Sequence, residues 1–185
     1  DAAGNQSQSS NQVTANTILA GVCYKFFNNQ SGLTEIPNYG GVAPANMGSM
    51  TSIRLFQSAP NLENMGYLWE GYIYIATTGN YRFQTCSDDG SKFYFNMPYN
   101  HNAAETVNND GLHGAGTCVT SATFNNLAAG YYPIAATLFE ATGGDSMVLR
   151  WSINNATFVT VPTSAFTEAP PTYTPPGTAP TAPSA

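Results

Sequence analysis

The chain has 185 residues, a formal net charge of −6, and 9% charged against 12% aromatic residues. With only 5 Lys+Arg there is no basic patch to neutralise phosphates, which argues against nucleic acid as a partner. The length suffices for one domain with a hydrophobic core, and no apolar run is long enough for a helix to cross a bilayer, so no membrane insertion is expected.

Residues 1–19 are polar and read as a flexible lead-in without the apolar stretch of a signal peptide, a start that reads as mature or excised. Residues 20–165 read as one globular domain. It opens with the strand-like run GVCYKFFNN, and short helical turns around residues 43–50 or 59–65 fit the composition that follows. The clearest pattern spans residues 67–95. In YLWEGYIYIA, Leu68, Glu70, Tyr72 and Tyr74 alternate with Trp69, Ile73 and Ile75, the period of a half-buried strand. Thr78-Gly79-Asn80 supplies turn chemistry, YRFQTC follows, Ser87-Asp88-Asp89-Gly90 interrupts it, and KFYFN resumes, which together predict an antiparallel meander of three strands.

Residues 97–116 form a long polar loop carrying Tyr99, His101 and His113, and loops of that length in compact domains tend to be functional or mobile. Further strands follow in CVTSATF, YYPIAATLF and SMVLRWS. In the last of these Met147, Leu149 and Trp151 share one face and Arg150 the other. Pro133 places the start of its strand there, or the strand at a sheet edge. Residues 166–185 form a Pro/Thr-rich linker, densest from Pro170, which implies further modules of the same polypeptide or an anchor. Many short strands with turns between them, and no sustained helical period, give an all-β fold, a sandwich or a barrel.

Cys23, Cys86 and Cys118 are an odd set with no CxxC spacing, which excludes the usual zinc pattern. Two readings stand: one disulfide, with Cys86–Cys118 the preferred pair, or three buried thiols.

Asp88-Asp89-Gly90-Ser91 is the most informative tetrapeptide. Two adjacent carboxylates repel each other unless a cation or donors compensate, and calcium takes several oxygen ligands at once. An ordinary Asp-Gly hairpin with both acids in solvent explains the tetrapeptide as well. The second segment, Glu140-Ala141-Thr142-Gly143-Gly144-Asp145, adds Asp145 as a third carboxylate and two glycines whose backbone freedom lets carbonyls turn inward, while Glu140, which begins it, reads as covering a strand end. Taken alone it reads as a glycine hairpin loop. If both loops lie at one end of a sandwich, they can enclose one cation.

The run GYLWEGYIYIATTGNYRFQTCSDDGSKFYFN, then NNDGLHG, then NLAAGYYPIAATLFEATGGDSMVLRWS, resembles the PA14 domain family in the order and spacing of its blocks. The family pattern has one residue where this chain has Ala141-Thr142. The resemblance implies an antiparallel β-sandwich with a calcium site carried by long loops at one end. Asp88 and Asp89 match the family's aspartate pair, which is joined by a cis peptide and ligates calcium. By the same resemblance Asp145 supplies a side-chain ligand, and Thr142 or Gly143 main-chain carbonyls. Sugar contacts are expected from Asp88, Asp89 and Asp145, with His113 and Tyr99 as further candidates. The plainer reading makes His113 a satisfied loop histidine and Tyr99 a solvent-exposed loop residue. Trp69 and Trp151 are expected in the core.

The function so implied is calcium-dependent carbohydrate binding in a secreted or cell-surface adhesin, its partners being glycans. Vicinal sugar hydroxyls would coordinate the ion, with weak single sites and strength from many copies. Two alternatives are a substrate-targeting module of a polysaccharide-degrading enzyme and a protein-binding or spacer module with structural calcium. An enzyme is not expected, because a glycosidase needs two carboxylates about 5 to 10 Å apart across a cleft and no such pair stands out. No G-x-S-x-G, HExxH or P-loop is present.

Overall fold

The computed structural model describes residues 19–56 and 62–169. The expected lead-in up to residue 18 and the Pro-rich stretch from residue 170 lie outside the described residues. No helix among the described residues is long and apolar enough to cross a membrane.

Two antiparallel sheets pack face to face. The first takes β1 (Val22–Phe27), β2 (Asn46–Met50), β4 (Met65–Ile75), β6 (Ser91–Phe95), β7 (Val107–Asn109), β10 (Gly130–Glu140) and β13 (Phe166–Thr167). Its order is β2-β1-β4-β10-β6-β7, with β13 on β4. The second takes β3 (Arg54–Leu55), β5 (Gly79–Asp88), β8 (Thr117–Thr120), β9 (Phe124–Leu127), β11 (Ser146–Ile153) and β12 (Val159–Thr160). Its order is β12-β11-β5-β8, with β3 on β11 and β9 on β5. Every pairing is antiparallel.

Alternation decides which side chains meet between the sheets. Trp69, Ile73 and Ile75 of β4, Phe93 and Phe95 of β6, and Ile134, Ala136 and Leu138 of β10 face Tyr81 and Phe83 of β5 and Met147, Leu149 and Trp151 of β11. Phe83 contacts the rings of both Phe93 and Phe95 across this layer. Each such ring removes enough apolar surface from water to contribute about 1.5 to 3 kcal/mol. The first sheet is also covered on its outer face. Phe27, Leu68, Tyr94, Ala135 and Phe139 pack there under Ile36 and Tyr39 of the β1–β2 connection. Tyr39 stacks on Phe27 at 4.4 Å between centroids and donates its hydroxyl to the Leu138 carbonyl at 3.0 Å. Burial on both faces is why β10 is continuously buried from Ile134 to Glu140.

Several local expectations change. Residues 67–95 are no meander: β4 and β6 belong to one sheet, with β10 between them, and β5 crosses to the other. Both faces of the first sheet are apolar-rich, so neighbours in sequence need not pair. Pro133 is neither a strand start nor at an edge, since β10 begins at Gly130 and sits between β4 and β6. Its carbonyl accepts from the Met97 amide at 3.1 Å, beyond the last β6 pair at Phe95. The missing N–H points to that same side, where the β6 ladder has ended, so no hydrogen bond is lost. Residues 46–50 are a strand, not a helical turn, and the long polar loop holds β7. Phe166 and Thr167, at the start of the expected linker, are buried and pair with Ile73 and Tyr72. Cys86 and Cys118, opposite each other on β5 and β8, form a disulfide, while Cys23 is free and exposed.

Candidate metal and ligand site

The site is built where β5 ends and the chain turns from one sheet to the other. Asp88 is the last residue of β5 and Ser91 the first of β6, so Asp88-Asp89-Gly90 is a corner between sheets. The Asp88–Asp89 peptide is cis. Gly90 is required by packing: a Cβ there would lie 2.8 Å from the Asp110 Oδ1 and from the Gly111 amide nitrogen, and closer still to the Phe139 ring. Its carbonyl accepts from the Phe139 amide at 3.0 Å, which ties the corner to β10.

This placement buries both acids, at 8% and 6% exposure, so they are not the solvent-facing pair of an ordinary hairpin. Backbone amides from two loops hold them. Asp88 Oδ2 accepts from the Ala115 amide at 3.0 Å. Asp89 Oδ1 accepts from the His113 amide at 2.9 Å and its Oδ2 from the Ala141 amide at 3.0 Å. Asp89 thus bridges the loop after β7 and the loop after β10. Behind the corner, Ser87 and Ser91 hydroxyls lie 2.7 Å apart, and Asn109 donates to Ser87 at 3.1 Å.

Glu140 completes the cluster. Counting along β10, it shares the inner face with Ile134, Ala136 and Leu138 and is fully buried at the strand end. Carboxylate oxygens of Asp88, Asp89 and Glu140 lie within 4.8 Å of one another. Neither Glu140 oxygen has a hydrogen-bond partner. Burial first, then the negative charges of Asp89 and Asp88, push its carboxyl from 4.5 up to about 8. The Asp89 amide pulls the other way without reaching hydrogen-bond geometry. Asp88 is raised by burial too, against the pull of the Ala115 amide. Three buried acids with so few donors are an arrangement that a hard cation would neutralise.

The two loops expected to converge do meet. An open depression is lined by Asp88, Asp89, His113, Thr142, Gly143 and Gly144. Gly143 has φ 117° and its amide donates to Glu63 at 3.0 Å, a conformation suited to glycine. His113 lies at this edge with its Nε2 3.0 Å from the Asn109 carbonyl and its Nδ1 buried without a partner. Asp145 is fully buried, acts electrostatically on Asp88, and is not part of the close triplet. Tyr99 stands elsewhere, over the outer face of the first sheet. It meets Tyr94 edge-on and accepts from the Tyr39 amide at 3.1 Å. Trp69 and Trp151 are in the core. The residue that sequence reasoning missed is Glu140, and the alternation of β10 extended by one step from Leu138 would have found it.

None of the curated proteins matches the chain. A family model described as the PA14 domain matches residues 20–164. Among solved structures, the chain is similar to the PA14 domain of the antifreeze protein MpAFP, at 19% identity and TM-score 0.66 over 94% of this chain and 100% of that one. It is similar to a PA14 sugar-binding domain from an RTX adhesin, at 11% identity and TM-score 0.63 over 81% and 99%. It is also similar to the A domain of epithelial adhesin 6 from Candida glabrata, solved with Galβ1-3GlcNAc, at 15% identity and TM-score 0.62 over 86% and 91%. At these identities the likeness is one of fold.

Proposed function

The chain belongs to the PA14 domain family, and from that premise we propose that it is a calcium-dependent carbohydrate-binding module of a secreted or cell-surface adhesin and not an enzyme. The observation that carries this reading is Glu140: two buried oxygens without a partner, within 4.8 Å of the oxygens of Asp88 and Asp89, at the edge of an open depression. The donor set is all oxygen and all hard, which fits calcium and not zinc. The sugar complex of the Candida adhesin domain and the sugar-binding description of the RTX domain support the ligand class.

Asp88, Asp89 and Glu140 would hold the ion, with Thr142 and Gly143 carbonyls and Asp145 as the further donors expected from the resemblance. Bound calcium would supply open coordination positions for a pair of vicinal sugar hydroxyls. The protein's own part is orientation. The His113 and Ala141 amides take one oxygen each of Asp89, and Ala115 takes one of Asp88, so the acids are aimed before any ligand arrives. The rim residues His113 and Thr142 then border whatever sugar sits on the depression.

The test is a glycan array with and without chelator, paired with calorimetric calcium titration. Signals in calcium that vanish in EDTA and in Asp89→Ala support the proposal. Glycan signals that survive EDTA overturn calcium dependence, and a calcium response with no glycan signal overturns the lectin role.

A further inference from the structure

The cations of this acidic chain are divided unevenly. Both lysines are paired: Lys25 with Glu70 at 2.8 Å, and Lys92 with Glu105 at 3.2 Å and Asp110 at 3.0 Å. The three arginines, Arg54, Arg82 and Arg150, make no ion pair among the described residues.

Strand register puts all three on one face. Along β11, Met147, Leu149 and Trp151 are buried between the sheets, so Val148, Arg150 and Ser152 take the outer face. Arg54 of β3 is directly opposite Val148, and Arg82 of β5 is directly opposite Ser152. Directly opposed residues share a face. Arg54, Arg150 and Arg82 therefore form a diagonal across three adjacent strands, each step being one strand and two residues, roughly 8 Å.

The row is held ready for a ligand. Arg54 lies over the Phe56 ring at 3.9 Å and Arg82 over the Phe158 ring at 5.2 Å. Stacking restrains a guanidinium while its edge donors stay available for a planar anion. Arg54, Phe56 and Arg150 line a groove over the Cys86–Cys118 disulfide. The groove adjoins the acidic corner: Gly116 lines it, and the preceding residue, Ala115, holds Asp88.

We propose that the outer face of the second sheet binds an acidic polysaccharide, its carboxylate or sulfate groups meeting Arg54, Arg150 and Arg82 in turn. Charge complementarity selects the occupant. In a chain of net charge −6, the three arginines without an ion pair share one sheet face, and two of them, Arg54 and Arg150, line the groove beside the acidic corner. Nucleic acid is the weaker match, since its affinity grows with the number of phosphates neutralised and three arginines offer few. This contact is separate from the metal site and does not require calcium.

The probe is an oligogalacturonate compared with its methyl ester, which keeps the backbone and removes the charge, measured by thermophoresis on the whole chain in EGTA. Expected is binding of the acid form only, weakened at least about tenfold in R54Q/R82Q/R150Q, because each surface charge pair contributes a few-fold. R150Q alone should weaken it a few-fold, and K25Q, on the other sheet, should leave it unchanged. Asp89→Ala should keep this binding while losing any calcium-dependent signal, so the two sites fail separately. Equal binding of the methyl ester, retention in the triple variant, loss in EGTA, or tighter binding of an oligothymidylate of equal charge would each overturn the proposal.

Discussion

Replacing Glu140 with Gln keeps the side chain's shape and removes one charge from a place with no compensating donor. Both of its oxygens are buried and unpartnered, and its carboxyl is pushed from 4.5 up to about 8 by burial and by the charges of Asp89 and Asp88. Without metal, the folded value lies above the unfolded one. The proton's stabilisation is then complete below about pH 4.5 and lost as pH rises through about 8. The full shift corresponds to a ceiling of about 5 kcal/mol. Relaxation and water entry reduce such penalties, so about 2 to 3 kcal/mol is the working figure. At about 3 °C per kcal/mol, the chelated wild type should melt about 6 to 9 °C lower at about pH 8 than at about pH 5. Glu140→Gln should flatten most of this slope, melting above the wild type at the higher pH and with it at the lower. Asp88, raised in the same direction, leaves a residual slope. Millimolar calcium should reverse the order at the higher pH, stabilising the wild type by linkage and the variant less. Scanning fluorimetry at both pH values, with calcium and with chelator, measures all of this. An unchanged pH slope in the chelated variant refutes the account of Glu140, and an unchanged calcium response refutes its place among the ligands.

Gly90→Ala should destabilise the domain by about 2 kcal/mol or more and blunt the calcium response, because the added carbon meets backbone at Gly111 as well as Phe139; thermal melts with and without calcium check it. Removing the Cys86–Cys118 link by Cys118→Ala with Cys86→Ala opens a loop of sequence separation 32 and should cost about 3.5 kcal/mol in denaturant titration. The same change should weaken calcium binding, since the segment it tethers carries the Ala115 amide that holds Asp88. Tyr39→Phe removes the buried hydroxyl bond to Leu138 and should cost about 1 to 2 kcal/mol, with little change in metal affinity.

Alternation along the strands was enough to sort Trp69, Ile73, Met147, Leu149 and Trp151 to the interior, because side-chain period is a local property. Pairing is not local. The sheets are closed by contacts such as β10 with both β4 and β6, and nothing in residues 67–95 says that a strand some 40 residues later will separate them. The same gap hid the nature of the Asp88-Asp89 turn. As a hairpin it would have faced solvent; as a corner between sheets it is buried, and its acids are held by amides from residues 113, 115 and 141. Tyr99 looked like an exposed loop aromatic because the second apolar cluster outside the first sheet is assembled from distant segments.

Glu140 was overlooked for a different reason. Its neighbour Gly143-Gly144-Asp145 carries the visible loop signal, and a charged residue at a strand end normally reaches solvent. Yet β10 is buried on both faces, so its last inward position is buried as well, and a charged acid there is costly without a partner. No lysine or arginine among the described residues is that partner. Both lysines are engaged with other carboxylates, and the three arginines lie on the outer face of the second sheet. A bound cation would neutralise Glu140, Asp88 and Asp89 together, whereas a proton on Glu140 neutralises that acid alone. With the lysines in surface pairs and the arginines on an outer face, the inner corner keeps three acids grouped closely enough that they could hold a metal ion.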